Sequence, residues 1–196
     1  MLDPNSQTLL DVHVKRHADA YSSGLLKPEF HYRLVEDLDK VCAVSGVRRE
    51  FVLTSSTDFC GPLEREWVRN IRHNSDAGVS GLLYVSEANV ERRMMALAGV
   101  CLRNYIHARV MTLNSVLEEV AAGNHNQPTV LFVLNFQAHQ GKHSISKWDA
   151  STVYDVLLSR YTQKLQTVVS VSTLSDVEVL YGAAAMTHLE DHYQQV

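Results

Sequence analysis

The turn over residues 86–93 places charged side chains between an apolar run and an apolar helix, where nucleotide-binding proteins of similar pattern hold phosphate. A phosphate-binding loop needs glycines, so that backbone N–H groups converge on the anion, together with a lysine for the phosphates and a serine or threonine for magnesium. This turn has no glycine, and it carries Glu87 and Glu91, which repel an anion. Arg92 and Arg93 attract phosphate by charge only. The turn therefore predicts no nucleotide hydrolysis and argues against nucleotide binding.

Three pairs of histidines stand four residues apart, which on a helix is the spacing of a zinc half-site. They are His13 with His17, His139 with His143, and His188 with His192. Glu190 and Asp191 offer further ligands between the last pair, although the order differs from His-Glu-x-x-His. Ten histidines produce such pairs by chance, and a surface or hydrogen-bonded histidine is the commoner outcome. The sequence favours no metal and leaves His188 and His192 as a weak candidate.

The three cysteines, Cys42, Cys60 and Cys101, are widely spaced and odd in number, which argues against a disulfide framework or a zinc ribbon. Each is predicted to be a small buried residue, with Cys101 on the core side of the central helix. The sequence predicts no cofactor.

Three arginines recur along a helix predicted over about residues 62–74, namely Arg65, Arg69 and Arg72. With Glu64 and Glu66 beside them, they are most simply a solvated face. The alternative is a nucleic-acid patch in which these arginines, with those of the turn, contact phosphates. A net charge of −4 and a pI near 6.2 give no global attraction to nucleic acid, so such a patch must be local.

Composition indicates an ordinary globular chain of 196 residues, with 45% hydrophobic and 20% charged residues. No apolar run approaches the roughly 20 residues that span a bilayer, and the first residues lack a signal-peptide pattern. We therefore expect a cytoplasmic protein without membrane contact.

The hydrophobic pattern predicts one α/β domain over residues 51–196 and a helical N-terminal segment over residues 1–50. Residues 81–110 have the pattern of a βαβ unit in a buried parallel sheet. Strands are predicted at about 81–85, 108–113, 129–136 and 167–172, with an extended piece at 51–53 and a mobile loop at 137–147. Helices are predicted at about 3–22, 28–46, 62–74, 90–105, 115–122, 148–165, 176–180 and 183–193.

Several stretches of the chain have the spacing of a known series of motifs but carry different residues at the catalytic positions. From Ser86 to Ala96 the chain has the length of Gly-x-x-Gly-x-Gly-Lys-Thr and the helix start that follows it, with Arg92 on the lysine and Arg93 on the threonine. The strand over residues 131–134 is followed by an amide and a phenyl ring. The degenerate positions are Ser86, Glu87, Asn89, Glu91, Arg92 and Arg93 in the turn, and Asn135 and Phe136 after the strand.

Further along, Arg160-Tyr161 ends a helix, Ser172 or Thr173 stands in place of an asparagine, and Leu180-Tyr181-Gly182 precedes a helix without the expected arginine. In this register the chain from about Phe51 resembles the AAA+ core of bacterial replicative-helicase loaders and transposition helper ATPases, the DnaC/IstB-like family. An amide is a poor magnesium ligand beside a carboxylate, and a phenyl ring cannot polarise water.

The resemblance implies a P-loop NTPase-like fold, AAA+ or RecA-like, with a parallel sheet flanked by helices. It also implies a non-catalytic adaptor, not an enzyme, that binds a replication or transposition protein such as a helicase and can self-associate. Two alternatives remain open: a nucleic-acid-binding helper using the arginines, and a metal-dependent enzyme using the histidine pairs.

Overall fold

The computed structural model describes Asp11, Leu34 and residues 37–53, 58–124, 127–137 and 146–196. The helix predicted over residues 3–22, apart from Asp11, and most of the loop predicted over residues 137–147 lie outside these ranges. None of the helices in the described ranges combines the length and the hydropathy that a bilayer crossing requires.

A parallel sheet forms the centre of the molecule. Its strands are β1 (Gly81–Val85), β2 (Ala108–Thr112), β3 (Val130–Leu134), β4 (Gln166–Val171) and β5 (Tyr193–Gln195). They lie in the order β2-β3-β4-β1-β5. The predicted parallel sheet is confirmed, and its central strands are continuous apolar runs because helices cover both faces. The strands at 81–110 are not neighbours, however, because β3 and β4 lie between β1 and β2.

Most helices of the described ranges agree with those predicted from the sequence. They are α1 (Leu38–Ser45), α2 (Arg49–Leu53), α3 (Pro62–Arg69), α4 (Ile71–Asp76), α5 (Val90–Arg103), α6 (Leu113–Ala121), α7 (Lys147–Thr162), α8 (Leu174–Tyr181) and α9 (Ala183–His192). The helix predicted over 62–74 is two helices, because Asn70 leaves helical geometry between them. The helix predicted over residues 183–193 ends at His192, and Tyr193 begins the short strand β5, which the sequence does not predict.

The extended piece predicted at residues 51–53 is wrong, because these residues belong to the helix α2. Phe51 and Val52 are both buried, and their carbonyl oxygens accept hydrogen bonds from the Arg103 Nη1 at 3.2 and 2.7 Å. Tertiary contacts therefore override the strand preference of the apolar run. The predicted domain boundary at residue 50 falls inside this helix.

Close backbone approach joins α2 to the central helix. A methyl group added at Gly99 of α5 would lie 2.1 Å from the carbonyl oxygen of Phe51, so only glycine permits this spacing. At the edge of the sheet, Gly46 ends α1 in left-handed geometry, as predicted, and faces the outward carbonyl of Val110 in β2. Helices α1 and α2 thus pack on the α/β body, and α1 covers part of its edge strand.

Two hydrophobic cores lie on opposite faces of the sheet. Helix α5, with α1 to α4, covers one face, where Leu82 and Tyr84 of β1 are buried. Helices α6 to α9 cover the other face, where Leu83 of β1 and Val169 of β4 are buried. Alternate residues of each central strand therefore pack into different cores.

Candidate functional site

The carboxyl ends of β3, β4 and β1 meet at a cleft of about 300 Å³. Chain leaving β1 enters α5 on one face of the sheet, whereas chain leaving β4 enters α8 on the other face. Neighbouring strands whose connections diverge in this way create the crevice in which α/β proteins bind ligands. The cleft is lined by Ser86, Glu87, Val90, Asn135, Phe136, Gln137, Ser170, Val171 and Ser172.

The turn over residues 86–93 lies at the mouth of this cleft. Ser86 and Asn89 adopt left-handed geometry, with φ of 54° and 55°. The Ser86 N–H donates to the carbonyl of Val171 at 3.0 Å, and its hydroxyl donates to the carbonyl of Ser172. Asn89 precedes α5 without a side-chain capping bond. The turn is therefore tied to the end of β4.

Arg93 is held by two carboxylates of the protein itself. Its Nε donates to the Glu64 Oε1 at 3.1 Å, and its Nη1 donates to the Glu87 Oε2 at 2.5 Å. The guanidinium lies over the ring of Tyr84, 5.0 Å from its centroid. Burial, the largest single effect, lowers the pKa of Arg93, but the hydrogen bond and charge of Glu64, together with Tyr84 and Glu87, exceed it, so the pKa is raised. Arg93 thus serves as a structural cation.

Glu64 is fully buried, which corrects the prediction that it belongs to a solvated face. Besides Arg93, the Tyr84 hydroxyl donates to it at 2.6 Å and the Gly61 N–H donates to its other oxygen. Burial, followed by the negative charge of Glu64, raises the pKa of Tyr84. Both oxygens of the buried Glu64 carboxylate accept hydrogen bonds, from three donors in all. This cluster therefore holds Arg93 in place beneath the turn.

Arg92 and Glu91 are exposed on the first turn of α5. The Arg92 guanidinium lies 4.6 Å from the ring centroid of Phe59, an arrangement favoured by cation–π attraction. Arg92 therefore packs against the segment preceding α3.

The residues after β3 close the other side of the cleft. Asn135 is exposed in left-handed geometry, with φ of 55°. Phe136 is 1% exposed and packs on Tyr181, whose hydroxyl donates to the Phe136 carbonyl. Next to them, the side chain of Gln137 accepts from the Ser172 N–H at 2.5 Å and donates to the Thr173 carbonyl at 3.4 Å. Gln137 thus bridges the ends of β3 and β4.

The three arginines of the predicted nucleic-acid patch lie in different surroundings. Arg65 of α3 donates to the carbonyl of Cys60 at 2.8 Å. Arg69 ends α3 and Arg72 lies on α4, both exposed. The break at Asn70 divides the continuous helical face on which the patch was predicted.

His188 and His192 lie in an aromatic cluster with Tyr154, Tyr161 and Tyr193. The two imidazole rings are 5.0 Å apart, and Tyr161 lies 4.4 Å from His192. Burial, reinforced by His192, lowers the pKa of His188. In the ranges that the structure describes, no three or more histidine, cysteine or acidic side chains are placed to hold a metal ion. The pair at 139 and 143 lies outside those ranges, as does the pair at 13 and 17.

Compared with known protein families and with curated proteins, the chain matches none of them. The resemblance to helicase loaders therefore rests on the spacing of residues and on the order of elements.

The sequence analysis gave no site role to three residues, namely Glu64 and Tyr84, which contact Arg93, and Gln137, which lines the cleft. Glu64 carried a signal, because Gly61-Pro62 followed by a glutamate is typical of a helix start with Glu64 at the third position. The burial of Tyr84 follows from its place in an apolar strand. Gln137 gave no signal, since its role depends on two strands far apart in sequence.

Proposed function

We propose that the protein is a non-catalytic adaptor, built on a P-loop NTPase-like fold that has lost its nucleotide site, and that it binds a protein of DNA replication or DNA mobility such as a replicative helicase. The same proposal places it in the cytoplasm and allows self-association. The observation that carries it is the pairing of Arg93 with Glu64 and Glu87, where a nucleotide-binding chain needs a hydroxyl for magnesium.

The cleft also lacks the electrostatics for a triphosphate. Among its described lining residues, the charged side chain is Glu87, which repels phosphate. Asn135 and Phe136 provide neither a carboxylate for magnesium nor a base for water. Gln137 further occupies the backbone N–H of Ser172. Together these features support binding by surface contact without a nucleotide switch.

The test has two arms on the full chain. Calorimetric titration with ATP and Mg²⁺ is expected to show no saturable binding, and phosphate release is expected to equal the buffer blank. Titration with the purified replicative helicase of the same host is expected to give a defined stoichiometry and an affinity that ATP does not change. Micromolar ATP affinity or steady hydrolysis would refute the loss of the site. Absence of helicase binding, with ATP also unbound, would refute this partner class alone.

A further inference from the structure

Arg160 is a buried cation without an ion-pair partner among the residues that the structure describes. The side chain lies in the last turn of α7 and is 2% exposed. Among the ion pairs of the described ranges, none includes Arg160. Burial lowers its pKa to about 10, so the guanidinium is still charged at neutral pH.

Neutral oxygen atoms hold the guanidinium in place. They are the Thr167 Oγ1 at 2.9 Å, the Gln166 carbonyl at 2.6 Å, the Pro128 carbonyl at 3.1 Å and the Gln127 Oε1 at 3.3 Å. Three of these acceptors belong to the starts of β3 and β4. The fourth is the amide of the exposed Gln127, which makes the longest bond and can swing away.

An arginine has five N–H donors, and these bonds use four of them. The remaining hydrogen is on Nη1, the same nitrogen that bonds Gln127. If Gln127 moves, Nη1 presents two donors, and the guanidinium becomes able to receive an anionic group.

A small cavity of about 50 Å³ adjoins Arg160 between α6 and α7. Its apolar wall consists of Met111, Val116, Val120, Pro128, Leu131 and Val156. Gln127 and Asn124 lie at its exposed rim. The Glu119 carboxylate also lines it, but Arg109 binds both of its oxygens, at 2.9 and 2.7 Å, and neutralises its charge.

We propose that this cavity binds a short-chain monocarboxylate, whose carboxylate displaces the Gln127 amide from Arg160 while its alkyl chain contacts the apolar wall. A negative charge beside a buried, unpaired guanidinium forms a charge-assisted hydrogen bond that a neutral ligand cannot match. The cavity volume corresponds to about three to five water-sized groups. The carbon chain of acetate to butyrate fits this volume, with the carboxylate oxygens in the space that the displaced Gln127 amide leaves.

Butyrate and butyramide form a matched pair of probes, because they share a shape and differ in charge. In calorimetric titrations at constant ionic strength, butyrate is expected to bind one site with a Kd of about 10 mM or tighter. Butyramide is expected to bind at least about tenfold more weakly. Equal affinities, or no saturable binding of butyrate in this range, would overturn the proposal.

Two variants locate the site without removing Arg160. Val156→Phe fills the cavity from α7 and is expected to weaken butyrate binding at least about tenfold, whereas Val179→Phe, at an 83% exposed position on α8, should leave it unchanged. Gln127→Ala removes the competing amide and is expected to tighten binding several-fold. Because Gln127 is exposed, the Gln127→Ala variant is expected to keep its fold even if the Val156→Phe variant does not. Unchanged or weaker butyrate binding in Gln127→Ala would contradict the displacement of its amide.

Discussion

At the scale of single residues, the cluster around Glu64 gives the charged side chain of Arg93 a structural role. Arg93 faces Glu64 and Glu87 rather than a ligand, and its remaining contact is the face of Tyr84. The two ion pairs differ in burial, since Glu64 is fully buried whereas the Glu87 side chain is 39% exposed. Their contributions to stability should differ accordingly.

Replacing Arg93 with methionine is expected to lower the free energy of unfolding by about 3 kcal/mol, because it leaves the buried carboxylate of Glu64 without its cation. Glu87→Gln removes the exposed partner and should cost less than about 1 kcal/mol. Urea denaturation of both variants measures the difference. Equal losses would show that the burial of Glu64 does not decide the effect.

His188 predicts a dependence of stability on pH. Its pKa is lowered in the fold from 6.5, by burial and then by His192, while Asp191 acts in the opposite direction. Between the two pKa values the unfolded chain binds more protons, so stability is complete above about pH 6.5 and is lost as the pH falls through the folded value.

The measurement for this prediction compares the free energy of unfolding at pH 7.5 and 5.5. His188→Phe keeps a ring among Tyr154, Tyr161 and Tyr193 and should reduce the loss at the lower pH. The same substitution at the exposed His73 controls for the removal of a histidine. A His188→Phe variant with the full loss would remove His188 as its source.

At the scale of helices and strands, close approach of backbones fixes the layers on the α5 face. Gly99→Ala places a methyl group against the Phe51 carbonyl, where the backbone of α2 must shift. We expect a loss of about 1–3 kcal/mol in the free energy of unfolding, as for other overpacked sites. Denaturant titration measures it, and an unchanged midpoint would mean that α2 moves at no cost.

The elements that sequence patterns predicted well are those with long periodic or continuous apolar runs. The strands β1, β3 and β4 and the helix α5 could be placed because burial on both sheet faces leaves a continuous apolar signal. Helix α2 could not, because its conformation depends on Gly99 and Arg103, which lie about fifty residues away. The same reason explains the cleft: its turn could be located, but the partner of Arg93 on α3 could not.

At the scale of the whole molecule, the helices α1 and α2 belong to the same folded unit as the sheet. Leu38 of α1 is 1% exposed, and it lies in the same core as Val52 and the strands β1 and β2. Gly46 contacts the edge strand β2. The molecule should therefore unfold as one cooperative unit.

Leu38→Ala tests this cooperativity. It is expected to lower the global free energy of unfolding by about 2–5 kcal/mol, because it leaves a cavity in the shared core, while the transition remains single. Circular dichroism and tryptophan fluorescence should give coincident curves, since the buried Trp67 reports the α3 region. Two separated transitions would instead indicate that the segment before residue 51 folds on its own.

Under the proposed function, in which an ATPase-like fold lacks its nucleotide site, the anchoring of Arg93 makes such a site difficult to build. Threonine at this position would supply the hydroxyl that magnesium needs, yet it would leave Glu64 charged and buried beneath the turn. A designer would have to change Glu64 in the same step, and with it the partner of Tyr84 and Gly61. Single substitutions toward a magnesium-nucleotide site would thus pass through variants with a buried, unpaired carboxylate, so such a site is hard to reach by gradual mutation.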